Sequence, residues 1–78
     1  MKVEIISPDK VLFEGDLKSI VLPGIDGFFE ILDHHAPLVS VLKEGKIKLT
    51  DPKKKESFID VKGGVIEVLE NHVKILVE

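Results

Sequence analysis

No cysteine, arginine, tryptophan or tyrosine occurs anywhere in this chain of 78 residues. Without cysteine there is no disulfide framework, no thiolate metal site and no sulfur nucleophile. All 11 basic residues are lysines, and they are outnumbered by 14 acidic ones, for a formal net charge of −3. Recognition of phosphates and bases relies on arginine forks and a basic surface. Four phenylalanines, the only aromatic residues, offer no stacking platform for single strands. No nucleic acid is expected as a partner. No apolar run approaches the ~20 residues of a membrane span, so no direct membrane span is expected. The opening "MKVEIISPDK" also lacks the apolar core of a signal peptide. These absences together lead to the expectation of a soluble, cytoplasmic chain.

Catalytic signatures are missing too. Ser7, Ser19, Ser40 and Ser57 stand without a glycine elbow or a histidine at motif spacing. Neither common phosphate-binding glycine loop is present, and the carboxylates are scattered through turns and strand exteriors. No catalytic residue, cofactor or metal is assigned. The lysine runs 43–48 and 53–55 read as solvated strand and loop.

What the chain does have is alternation with a period of two from end to end. Runs at 2–6, 10–16, 17–24, 28–32, 37–42, 46–50, 57–61, 65–69 and 73–77 alternate or are apolar throughout. Between them lie turn signals such as Ser7-Pro8-Asp9, Gly24–Gly27, Glu44-Gly45 and Glu70-Asn71. The expected fold is all-β: a small two-sheet β-sandwich or flattened barrel of about nine to ten short strands. One domain fills residues 1–78. Gly63-Gly64, inside a strand pattern, marks a bulge or a close backbone approach. Several strands carry apolar residues on both faces: Leu12, Val21, Val39 and Val41 opposite Leu38 and Leu42, and Ile66 with Val68. A sandwich this small has one inner layer, so surplus apolar residues outside it imply a covered surface and an interaction module.

The stretch "DHHAPL" at 33–38 could signal a metal site or a structural joint. Adjacent residues on a strand point to opposite faces, and His72 falls on a different strand. The structural reading is a one-turn helical corner started by Asp33, with Pro37 fixing the exit into the next strand. The alternative is a free-standing sandwich that binds a metal or small ligand through Asp33, His34 and His35.

Four stretches carry a resemblance to the epsilon subunit of F-type ATP synthases, whose mitochondrial counterpart is called delta. They are "VEIISPDKVLFEG" at 3–15, "LPGIDGFFEIL" at 22–32, His35-Ala36-Pro37-Leu38, and a pattern matched by Phe58, Ile59, Gly63, Gly64, Glu67 and Val68. The similar spacing runs on through "NHVKILVE" at 71–78. The resemblance implies a non-catalytic rotor subunit of the central stalk, linking the gamma subunit to the polar loops of the c ring. It places the chain peripherally, on the cytoplasmic side of the inner (plasma) membrane. Phe28, Phe29, Glu30, Ile31, Leu32 and Asp33 become the expected ring-facing loop, and aspartates at both 28 and 29 are expected to leave the fold intact. Ser7, His35 and Ser40 are expected near gamma, with Ala36, Pro37, Gly63 and Gly64 as structural positions. Family members often read "G-E-L-G-I" and "G-H-A-P" here. In this chain Phe28 replaces the acidic residue, Glu30 a glycine, and His34 the glycine before the histidine, so Glu30 is expected to supply the charged ring contact. Typical bacterial members continue into a C-terminal helical hairpin. No such hairpin is expected within a sequence ending at Glu78.

Overall fold

Every alternating run becomes a strand. The computed structural model describes residues 1–78, with β1 (Lys2–Ile6), β2 (Val11–Asp16), β3 (Ser19–Gly24), β4 (Gly27–Leu32), β5 (Leu38–Leu42), β6 (Gly45–Thr50), β7 (Glu56–Val61), β8 (Gly64–Leu69) and β9 (His72–Val77). Strand boundaries depart from the expected ones by at most two residues, and no residue is helical.

Hydrogen bonding follows one path, β2-β1-β9-β8-β5-β3-β6-β7, with β4 on the other edge of β3. The pairing of β1 with β9 is parallel; every other pairing is antiparallel. The path curls so that β2-β1-β9-β8-β5 lies over β4-β3-β6-β7. The two layers join where Gly24 of β3 bridges Leu42 of β5.

Register sets the core. Val3, Val73 and Val68 align in one row of the first layer, and Ile5, Ile75 and Ile66 in the next. Ile31, Ile20 and Leu49 align in the facing layer. All nine are at most 2% exposed. Full burial of each such side chain contributes roughly 1.5–3 kcal/mol. Strand β3 is buried along nearly its whole length, with only Val21 half-buried. It lies between β4 on one edge and both β6 and β5 on the other, which explains its near-continuous apolar run "IVLPG".

The glycine pair is a close approach. A Cβ on Gly64 would fall 2.3 Å from the Leu76 carbonyl oxygen and 3.0 Å from Val77 Cα. The β8–β9 connection is a two-residue turn with positive φ at both Glu70 (50°) and Asn71 (60°), the mirror-image geometry that follows the twist of a hairpin.

The helical corner does not form. The His35 N–H donates to the Leu32 carbonyl at 3.2 Å, closing a single tight turn, and His34 sits at φ 62°. A left-handed residue at that point cannot continue a right-handed helix. The Asp33 carboxylate, expected to start the helix, is turned instead to the Met1 α-amino group.

Gly64→Ala adds both a backbone strain and an overlap with β9. We expect a loss of about 2–5 kcal/mol. In thermal unfolding followed by circular dichroism this lowers Tm by about 10 °C or more. A variant melting within a few degrees of the parent would contradict the close-approach account.

Candidate interaction surface

Because Val3 and Ile5 point inward, Lys2, Glu4 and Ile6 point out, and the register extends each into a row across the first layer. One row reads Val11, Ile6, Leu76, Val65 and Val41. Its members Val11, Leu76, Val65 and Val41 are 58%, 47%, 39% and 48% exposed. With neighbouring strands ~4.8 Å apart, the row crosses about 19 Å. The adjacent row reads Glu14, Glu4, Lys74, Glu67 and the exposed Val39. Lys74 thus stands between two glutamates, and His72 Nε2 lies 2.7 Å from Glu4 Oε2. An apolar stripe with a charged stripe beside it can exclude water at its centre and fix orientation at its margin.

Val39 and Val41 take the outward positions expected of the surplus apolar residues. Leu12 does not, since it packs against the core, and Ile66 and Val68 are buried with Val65 outside in their place. Strand alternation alone left open which of 65 or 66 faces in. The pairing of Ile66 with Ile75 decides it.

Residues 28–32 do not form a loop. They belong to strand β4, paired with β3 from Gly27 to Leu32, and only Asp33 lies in the connection that follows. Phe28 is exposed, Phe29 packs against the core, and Ile31 is fully buried. The turn itself is Ile25-Asp26, whose exposed Ile25 was not among the expected site residues although the flanking glycines marked the turn. Gly24 is required there, because a Cβ would lie 2.8 Å from both the Gly27 oxygen and the Phe29 ring.

Ser7, His35 and Ser40 are not brought together. Ser7 closes the β1–β2 turn, accepting the Lys10 N–H at 3.2 Å and donating from Oγ to the Lys10 carbonyl. It borders the apolar row, sharing a shallow hollow with Ile6, Pro8 and Leu76. Ser40 stands in register with the buried Ile66, on the opposite face of β5 from the row. With Val39 and Val41 it lines a groove of about 580 Å³ shared with Ile25, Phe28 and Phe29. His35 is exposed at the opposite end of the sandwich from Ser7, its Nδ1 lying 2.7 Å from the Ala36 carbonyl oxygen.

The corner at 33–35 is tied to the start of the chain. The Met1 ammonium donates to Asp33 Oδ1 at 2.5 Å and to the Leu17 carbonyl at 3.2 Å, while the His34 N–H donates to Asn71 Oδ1 at 2.6 Å. The hydrogen bond from the ammonium, opposed by partial desolvation and helped by the ammonium charge, holds the Asp33 carboxyl below its ordinary range. Asp33, His34 and His35 do not converge as a ligand set for a metal ion.

The ATP synthase delta/epsilon chain β-sandwich domain family matches residues 1–78. The ATP synthase epsilon chain of Chlorobium limicola is 40% identical over 77 residues, covering 99% of this chain and 88% of that one. That of Leptospira borgpetersenii is 45% identical over 78 residues, and there the chain spans only 61% of the relative's length. Among solved structures, a chain of the Euglena gracilis mitochondrial ATP synthase (OSCP/F1/c-ring) superposes with a TM-score of 0.91 at 18% identity, covering 96% of this chain and 48% of that one. A chain of the Tetrahymena thermophila ATP synthase central stalk and c-ring gives 0.83 at 21% identity, covering 97% and 61%. At these identities the superpositions establish the fold.

Two outcomes follow from the site geometry. Phe28→Asp is expected to leave Tm within a few degrees of the parent, whereas Phe29→Asp, which puts a carboxylate against the core, is expected to cost about 2–4 kcal/mol. Equal melting of the two variants would contradict the strand assignment. Separately, a carboxyl whose pKa is depressed by folding adds stability above its unfolded pKa and loses it as pH falls. Urea midpoints should therefore decline from about pH 4 downward, and less steeply in Asp33→Asn. Identical profiles would show the Met1–Asp33 contact to be without weight.

Proposed function

The chain belongs to the delta/epsilon β-sandwich family of ATP synthase, and on that premise we propose that it is a non-catalytic part of the central stalk. In this role it joins the gamma subunit to the ring of c subunits and so couples ion-driven rotation to ATP synthesis. It sits peripherally, on the cytoplasmic side of the inner membrane, held by its partners. No helix is long and apolar enough to cross a membrane.

The observation that carries the proposal is the exposed apolar row Val11-Ile6-Leu76-Val65-Val41 across the five-stranded layer. A torque-bearing joint needs a broad, dry contact that resists shear, and contiguous aliphatic side chains on a rigid sheet supply one. We assign this row to gamma, with Ser7 at its margin and Ser40 and His35 as separate contacts. The ring contact falls to the Ile25-Asp26 turn and the Phe28 side chain beside it. Phe29 and Ile31 support that contact from inside.

Calorimetry with the gamma subunit of the same synthase tests the assignment. A one-to-one complex at micromolar affinity or tighter is expected. Leu76→Glu, on an outward position, should raise Kd about tenfold or more with Tm nearly unchanged. Parental affinity in that variant would remove the row from the interface. No binding between two folded proteins would remove the stalk reading itself.

A further inference from the structure

Three strands, β2, β7 and β4, have a strand partner on one side only. Two are guarded in the ways that keep edges from pairing. The β1–β2 register is interrupted between Ile5 and Ile6, and β2 ends in Glu14-Gly15-Asp16. Strand β7 carries Glu56 and Asp60, both held in ion pairs with β6, Lys46–Asp60 at 2.9 Å and Lys48–Glu56 at 3.5 Å. Strand β4 has neither guard. Its register with β3 is unbroken over six residues, it contains no proline, and Glu30 is its single charge.

The backbone groups on that edge can be named. In an antiparallel ladder, pairs that exchange hydrogen bonds alternate with pairs that do not. Pro23 and Ile25 of the β3–β4 hairpin direct their groups to β5: the Pro23 carbonyl accepts the Lys43 N–H and the Ile25 N–H donates to Val41. Gly24 and Leu22 therefore face β4, where Gly27 and Phe29 are their partners. The groups of Phe28, Glu30 and Leu32 point away from β3. One of them, the Leu32 carbonyl, is taken by His35. Three N–H donors and two carbonyls, spread over about 14 Å, remain without a protein partner. Those of Phe28 border the groove that Val39, Ser40 and Val41 line from the other side.

We infer that the free edge of β4 receives an extended segment of gamma as an added strand, with a lysine or arginine of that segment opposite Glu30. This rests on the stalk reading and adds a mode of contact to it. Charge selects the occupant. Neither Glu30 nor Asp26 has a cation within ion-pair distance. A second copy of this chain is disfavoured. Two β4 edges paired so that all outward groups meet would set Glu30 directly across from Glu30, and like charges in that position oppose pairing. A strand with a central cation and apolar residues two positions to either side would instead match Glu30 between Phe28 and Leu32.

Amide hydrogen exchange on the one-to-one complex with gamma tests this. In the free chain the amides of Phe28, Glu30 and Leu32 should exchange fast while those of Phe29 and Ile31 are protected. In the complex the first three should slow by about tenfold or more. Glu30→Lys should raise Kd for gamma about tenfold with Tm unchanged. A complex that forms with those three amides as fast as in the free chain overturns the added strand and leaves the stalk reading intact. Failure of the parent chain to form any complex overturns both.

Discussion

Strand β3 keeps two neighbours along one edge, β6 beside Ser19–Val21 and β5 at Gly24, and the rest of the molecule depends on that change of partner. If β3 stayed with β6 throughout, the path would be an open sheet with one face in water. Because it passes to β5, the second layer folds over the first and its apolar residues meet Ile5, Ile66, Val73 and Ile75. Pro23 and Gly24 permit the change. The first has no N–H to leave unpaired and offers its carbonyl to Lys43, and the second lets the Phe29 ring lie against the backbone.

The same curl separates the surfaces by character. The first layer turns an aliphatic row and a charged row outward, while the second turns out ion pairs between β6 and β7 together with the unguarded edge of β4. The turn at Ile25-Asp26 stands where the layers join.

Most of the fold could be read before any coordinates. Period-two runs such as "KIKLT" allow one reading, and Asp9, Gly24, Gly27, Gly45 and Asn71 sit in turns or at strand ends. The misreadings have local physical causes. The resemblance assigns residues 28–32, which follow a glycine-rich turn, to a loop, yet "FFEIL" satisfies strand alternation with Phe29 and Ile31 inside. At the histidine pair, the choice between helix and turn lay with His34, whose left-handed backbone is held by Asn71, a residue 37 positions away. No local pattern shows that. Nor does any local pattern show that Ile6, Leu76, Val65 and Val41 share a row, because it spans four strands whose lateral order is a tertiary fact.

The parallel ladder between β1 and β9 has a consequence for synthesis. While the chain is still emerging from the ribosome, β1 and β8 each lack the neighbour that sits between them, and the hydrophobic rows through Val73 and Ile75 are missing their middle members. A hairpin such as β6–β7 can form early. The layers cannot close over a shared interior until the final strand is free to slide in between the first and the eighth. Folding is therefore held back until translation of this domain is nearly finished, and then proceeds as one late, cooperative event set by contacts of long sequence separation.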